Sequence, residues 1–267
     1  MRRPISSYSP IFYFMIVKLR RFARRLKWWF GDQKFAKTLS TNLLEHSVFS
    51  HRIISFRRSD TAVGLQDNKA VNLKIALLKL NGVIIHPGET FSLCRLLGCA
   101  TKRKGYKEAR TLQNGKVAVL VGGGLCKMVA LIDWICLHSP LTVVECHQHS
   151  FDHSPDEEGE VPSGTGPTYF YNYLDYQIKN DTPYTFQVLL HLDGDYLNGE
   201  LRVDTAMPHK YQAFEANDHF VKTEDNIYRK IEIWQHKYAE NETAAETNVE
   251  TKLIRKTKVL IKYDVTL

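Results

Sequence analysis

Three things are scarce in this chain of 267 residues: long apolar runs, paired cysteines, and acidic residues near the start. A membrane-spanning helix needs roughly 20 apolar residues. The run from Ile11 to Val17 is preceded by Pro10 and ended by Lys18, Arg20 and Arg21. No small-residue cleavage site follows it, so it does not read as a signal peptide either. The five cysteines (Cys94, Cys99, Cys126, Cys136 and Cys146) are odd in number and contain no C-x-x-C pair. That excludes a secreted disulfide framework as the natural reading and favours free thiols in a reducing compartment. Up to Lys37 the only acid is Asp32, against Arg2, Arg3, Lys18, Arg20, Arg21, Arg24, Arg25, Lys27, Lys34 and Lys37. No finger spacing or aromatic–glycine RNA signature accompanies this charge, so no nucleic-acid partner is expected. Internal repeats are also absent. The expectation is a cytoplasmic protein, peripheral to a membrane if its basic start binds one.

What is present reads as a mixture of helices and strands. Ile11, Met15, Leu19, Phe22, Leu26 and Trp29 recur at spacings of three and four, which places them on one face of a basic N-terminal helix. Such a stripe packs on a core in the commoner arrangement; the alternative is an anionic membrane surface. A second helix is expected over 69–80, stopped by Asn81-Gly82, with a short strand at 83–85 and a turn at Pro87-Gly88. A further short element begins at Phe91. Asn114-Gly115 marks a hairpin whose second strand is 116–121. After Gly122-Gly123-Gly124, the segment 126–137 is apolar on most faces and reads as a buried helix ended by Ser139-Pro140. Strands are expected at 141–149, 184–192 and 197–203, with a β-like aromatic stretch at 168–178. The tail from Pro208 reads as a hydrophilic helix followed by a strand at 258–263, with a polar loop at 240–250.

The triple glycine is the strongest local signal. It permits a sharp turn and close backbone approach. A cysteine where such a turn enters a helix lies in the field of free N–H groups, which favours the thiolate and stabilises an oxyanion. Cys126 is therefore the candidate nucleophile, with Lys127 adding positive charge. On a regular strand His147 and His149 share a face with Leu141, Val143 and Glu145. His149 is the candidate base and His147 the reserve, with Asp152 or Asp156 to orient the imidazole. The bland alternative is a small buried cysteine beside glycines. A metal reading needs His147 and His149 with His153 or Cys126. No second ligand pair stands at a telling spacing, so no metal and no cofactor is assigned.

One ordered series of residues carries a family resemblance. It runs through Asn72 to Ala76, Asn81-Gly82, Ile84 to Ser92, Gly98, Thr101 and Gly105-Tyr106. It continues through Gly122 to Cys126, His138 to Leu141, Val144-Glu145, His147, and His149 to Asp152. Gly164-Thr165-Gly166 and Phe170 to Tyr176 complete it, so the series spans about 65–203. These motifs resemble the VanW-like family, and the tail with Tyr228-Arg229 and Glu232-Ile233 resembles its longer members. The resemblance implies a bacterial protein linked to glycopeptide resistance or cell-envelope physiology, without implying a reaction. Lys127 stands where the family usually has glutamine, Gly159 where it tends to have arginine, and Pro162-Ser163-Gly164 where it tends to have Pro-Phe-Gly.

The expected fold is α+β: a mixed or antiparallel sheet, a buried helix after the glycine turn, and the basic N-terminal helix. The expected organisation is an arm over 1–60, a VanW-like domain over 61–205 and an extension over 206–267. Two functions stand. One is a cysteine-dependent amide hydrolase or acyl transferase on a peptide-like envelope precursor. The other is a non-enzymatic accessory or binding protein with a structural Cys126. In the latter, Gly122, Gly123 and Gly124 cradle a ligand or partner backbone, and Tyr171 and Asp175 join them as binding candidates.

Overall fold

The computed structural model describes residues 10–55, 63–113, 116–149, 151–152, 161–162, 166–240 and 249–261. The chain opens with α1 (Pro10–Phe30), β1 (Lys34–Phe35) and β2 (His46–Ile54). Helix α2 (Val63–Leu80) buries Leu73, Ala76 and Leu80 at helical spacing and leaves Leu78 in solvent. Then come β3 (Val83–Ile85), β4 (Glu89–Ser92) and the short α3 (Leu93–Leu97), whose first turn is capped by the Ser92 hydroxyl. The hairpin β5 (Glu108–Gln113) and β6 (Lys116–Val121) leads through the glycines into α4 (Leu125–Leu137).

The remaining strands are β7 (Thr142–Glu145), β8 (Phe151–Asp152), β9 (Gln177–Lys179), β10 (Phe186–Asp193) and β11 (Tyr196–Val203). Three long ones follow: β12 (His209–Lys222), β13 (Ile227–Ala239) and β14 (Glu250–Ile261). Among the described residues the strands form three four-stranded sheets besides the β5–β6 hairpin. The first is antiparallel, in the order β2-β11-β10-β3, and carries α2 and α4 on one face. The second, β1-β4-β9-β7, is mixed because β1 runs parallel to β4. The third, β12-β13-β14-β8, is mixed because β8 runs parallel to β14. The fold is α+β, as the sequence predicts.

Helix α4 is the centre of the core. Ten of its residues, from Leu125 to Leu137, are buried. It lies so close to the first sheet that a Cβ on Gly199 would meet the Leu131 side chain at 2.9 Å. Ser139 stops the helix: its hydroxyl donates to the Cys136 carbonyl and accepts from the Leu141 N–H. Strand β2, upstream of residue 60, pairs with β11 along nearly its whole length, so the first sheet draws on the N-terminal segment.

Several sequence expectations are corrected. The expected strand at 141–149 is regular only over Thr142–Glu145, and its register slips between Val143 and Glu145 where it pairs with β9. The aromatic stretch 168–178 is largely turns and isolated bridges, reaching strand only at Gln177. Within it, the Tyr171 and Tyr173 carbonyls are held by Arg21 and Arg24 of α1 rather than by a ladder. The hydrophilic helix expected after Pro208 is β12 and β13, with Arg229, Ile231 and Ile233 buried at period two. Most of the expected 240–250 loop lies outside the described residues.

The largest correction concerns α1. The core-packing reading of its apolar stripe is reversed: Met15, Leu19, Phe22, Leu26 and Trp29 are exposed. The helix docks instead through Val17, Arg21, Arg24 and Trp28. The reason is local chemistry. The body offers a carboxylate and backbone carbonyls where α1 meets it, and guanidinium groups fill them better than leucines would.

Candidate functional site

The glycine turn positions the first candidate. Gly122 and Gly124 take positive φ, +81° and +92°, and Gly124 immediately precedes α4. Gly123 is fully enclosed: a Cβ there would collide with the Ala109 carbonyl. A Cβ on Gly124 would strike the aliphatic stem of Lys69. Buried Asn72 locks the turn by donating from Nδ2 to the Lys107 and Gly123 carbonyls while Oδ1 accepts from the Lys107 N–H. The space the glycines open is thus filled by the chain's own β5 backbone and α2 side chain.

Cys126 sits in the first turn of α4. The residue keeps some solvent-accessible surface, but the protein packed around it desolvates the thiol and pushes it above its ordinary value. The Tyr169 and Cys126 backbone N–H groups and the Lys69 charge act in the opposite sense without reversing it. The lowered thiol expected from the glycine turn is therefore corrected, because desolvation outweighs the helix terminus. Lys127 donates to the Ile54 carbonyl at 2.8 Å.

The histidines lie across a different segment. The Thr168 N–H donates to the His147 carbonyl at 2.6 Å, while the neighbouring Tyr169 N–H serves Cys126. The His147 imidazole turns to Glu145, with Nε2 at 3.0 Å from Oε1. His149 is half-buried just beyond the Gln148–Pro167 bridge. The Asp152 backbone belongs to β8, opposite Ile261 of the third sheet. Asp156 and His153 lie outside the described residues. Among the described residues, no group of three or more His, Cys, Asp or Glu side chains is placed to hold a metal ion.

A polar cluster of many hydrogen bonds forms elsewhere, around Arg24 of α1. Arg24 donates to both oxygens of Glu145, at 2.7 and 2.6 Å, and to the Tyr173 carbonyl at 3.2 Å. Burial alone would raise the Glu145 carboxyl. Hydrogen bonds from His147, Arg24 and the Asp175 N–H outweigh it and hold the group at about 2. Asp175 is completely buried behind this pair. Its carboxylate accepts from Ser92 Oγ, the Cys94 N–H, the Tyr176 N–H and Gln177 Nε2 at 2.6 to 2.9 Å. Four bonds fill its acceptor positions, so Asp175 organises the chain and has no position left for a ligand. Tyr171 contributes its carbonyl to Arg21 at 3.0 Å.

Between α1 and this cluster opens a cleft of about 450 Å³. Arg20, Arg24 and Lys27 line it with His147, Trp28 and Tyr173. One anion, Glu145, faces three permanent cations there, and Arg24 already engages it. The arrangement suits a ligand with an anionic group and an apolar or planar part. Sequence reading flagged Glu145 and Asp175 within motifs but missed Arg24. Its basic neighbours mask it, and its partner lies 121 positions away.

A family model described as VanW like protein matches residues 68–202. The vancomycin B-type resistance protein VanW of Enterococcus faecalis is 34% identical over 168 residues, 63% of this chain and 61% of that protein. The uncharacterized protein YoaR of Bacillus subtilis is 25% identical over 113 residues, 42% of this chain and 36% of that protein. The chain thus spans less than two thirds of the length of either of these curated relatives. No solved structure matches it. Cys126, Glu145, His147 and Asp175 fall inside the matched stretch, whereas Arg24 falls outside it.

Proposed function

This chain belongs to the VanW-like family, and from that premise we propose that it serves glycopeptide resistance as a non-enzymatic accessory or binding protein in which Cys126 is structural. The observation that carries this reading is the desolvation of Cys126, which pushes its thiol up although it stands at the start of a helix. A nucleophilic cysteine at neutral pH needs the opposite shift. The self-filled glycine turn supports the same reading, since Ala109 and Lys69 occupy the space an oxyanion or ligand would need. Binding falls instead to the cleft beside α1. Its cations Arg20 and Lys27, with Trp28 and Tyr173, suit a peptide-like envelope precursor that carries a carboxylate or phosphate.

The test is the pH dependence of alkylation at Cys126, compared with the Cys126→Ser protein. Slow labelling that rises only above about pH 8.5, the free-cysteine reference, is expected. Cys126→Ser is expected to leave glycopeptide tolerance of a host strain within about twofold of the parent, because on this reading no reaction runs through the sulfur. Rapid labelling near pH 6 that slows in His149→Ala, together with loss of tolerance in Cys126→Ser, would overturn the reading. It would establish a cysteine-dependent hydrolase or acyl transferase instead.

A further inference from the structure

Helix α1 carries six cations, Lys18, Arg20, Arg21, Arg24, Arg25 and Lys27, and no acid. Its two faces are used in an unusual way. The cationic side that includes Arg21 and Arg24 is spent on the body, and the apolar side is turned outward. Phe12, Met15, Leu19, Phe22, Leu26 and Trp29 form one continuous stripe, with exposures from 36% at Leu26 to 81% at Trp29. Phe30, 78% exposed, extends it. An exposed apolar stripe of this length is costly in water and marks an interaction surface. Lys18 and Arg25 are exposed along one flank of the stripe, and Lys27 along the other. The helix is not long and apolar enough to cross a membrane.

We propose that α1 lies flat on an anionic lipid surface, with this stripe in the acyl–headgroup boundary and Lys18, Arg25 and Lys27 on the lipid headgroups. Charge decides between lipid and a second copy of the chain. The stripe repeats at alternating steps of three and four, a spacing that also permits a coiled coil. Pairing two copies through it would set two cationic helices side by side, neither of which carries an acid of its own to face the other's cations. An anionic bilayer supplies both the apolar layer and the counter-charge. Ala23 and Lys27, which line the cleft, follow Phe22 and Leu26 of the stripe by one residue. The cleft mouth therefore opens beside the lipid contact, at headgroup level. The inference stands whatever the role of Cys126.

The experiment is flotation of the full chain with vesicles of phosphatidylglycerol and phosphatidylcholine, against vesicles of phosphatidylcholine alone. The chain is expected to float with the anionic vesicles and at least tenfold less with the neutral ones. Leu19→Glu/Phe22→Glu changes only exposed positions, and should lower flotation at least tenfold while circular dichroism stays the same. Lys18→Glu/Arg25→Glu should do likewise, and 0.5 M salt should weaken the interaction. Absence of flotation, or flotation indifferent to Leu19→Glu/Phe22→Glu, overturns the proposal. So does a lipid-free dimer that this double variant splits into monomers, which would make the stripe a seam between copies.

Discussion

His138 is a buried imidazole that ties the stability of the fold to pH. Its ring stacks on Phe49 with centroids 3.6 Å apart and planes 1° from parallel, and Nδ1 donates to the Trp134 carbonyl at 2.9 Å. Burial is the main cause that lowers its pKa, to about 4. In the unfolded chain it returns to about 6.5, so the unfolded state binds the proton first as pH falls. Stability from the neutral ring is complete above pH 6.5 and is lost between 6.5 and about 4, by roughly 3 kcal/mol at most. Urea denaturation across that window should show the slope in the parent protein and a flatter one in His138→Phe. Glu145 acts lower on the scale. Its carboxyl is held at about 2, so its contribution is present above pH 4.5 and is lost as pH falls from there towards 2. A slope above pH 5 that is unchanged in His138→Phe would place the titrating group elsewhere, His51 being the neighbouring imidazole also lowered by burial.

At the scale of elements, the glycine turn and α4 act as one unit. Gly123 must lack a side chain because the Ala109 carbonyl occupies the place of its Cβ, and Asn72 holds the turn from the other side. Gly123→Ala should therefore cost about 3 kcal/mol or more, measured as a lowered denaturation midpoint, because neither backbone can yield cheaply. The turn and helix were legible in the sequence, since three glycines followed by an apolar run have few other solutions. The first two strands of the tail were not, whereas the end of β14 was expected at 258–263. Lys, Glu and Gln crowd β12 and β13, and their buried faces emerge only once α4 and β7 are present to bury them. In α1 the periodicity revealed the stripe but not its direction. That choice turned on Glu145 and the Tyr171 and Tyr173 carbonyls, far away in the chain.

Across the whole molecule, the third sheet is fastened to the matched stretch by a buried charge pair. Arg255 of β14 donates to both oxygens of Asp133 on α4 at 2.8 Å, and the Tyr176 hydroxyl donates to the same carboxylate at 2.9 Å. Gln235 of β13 caps the end of α4 by donating to the Leu137 and Ser139 carbonyls. Arg255→Met leaves a buried carboxylate without its cation and should destabilise the protein by about 3–5 kcal/mol. Adding Asp133→Asn should restore part of that loss in a double-mutant cycle, since it removes the stranded charge. Strictly additive effects would mean that the pair does not couple the two parts. The three long strands are thus an integral wall of the fold, although the family match ends at residue 202.

By itself the sequence determined the features that depend on neighbouring residues: the α+β class, the glycine turn, the buried α4, the β5–β6 and β10–β11 hairpins, and the family motifs. Steric freedom at glycine and the 3.6 and 2.0 periods act over a few residues, and can be read there. Tertiary structure alone decided which face of α1 meets the body, that Arg24 and Glu145 pair beside the cleft, and that desolvation outweighs the helix terminus at Cys126. Each of these depends on ion pairing or desolvation between segments far apart in the chain, and those energies exist only once folding has brought the groups together.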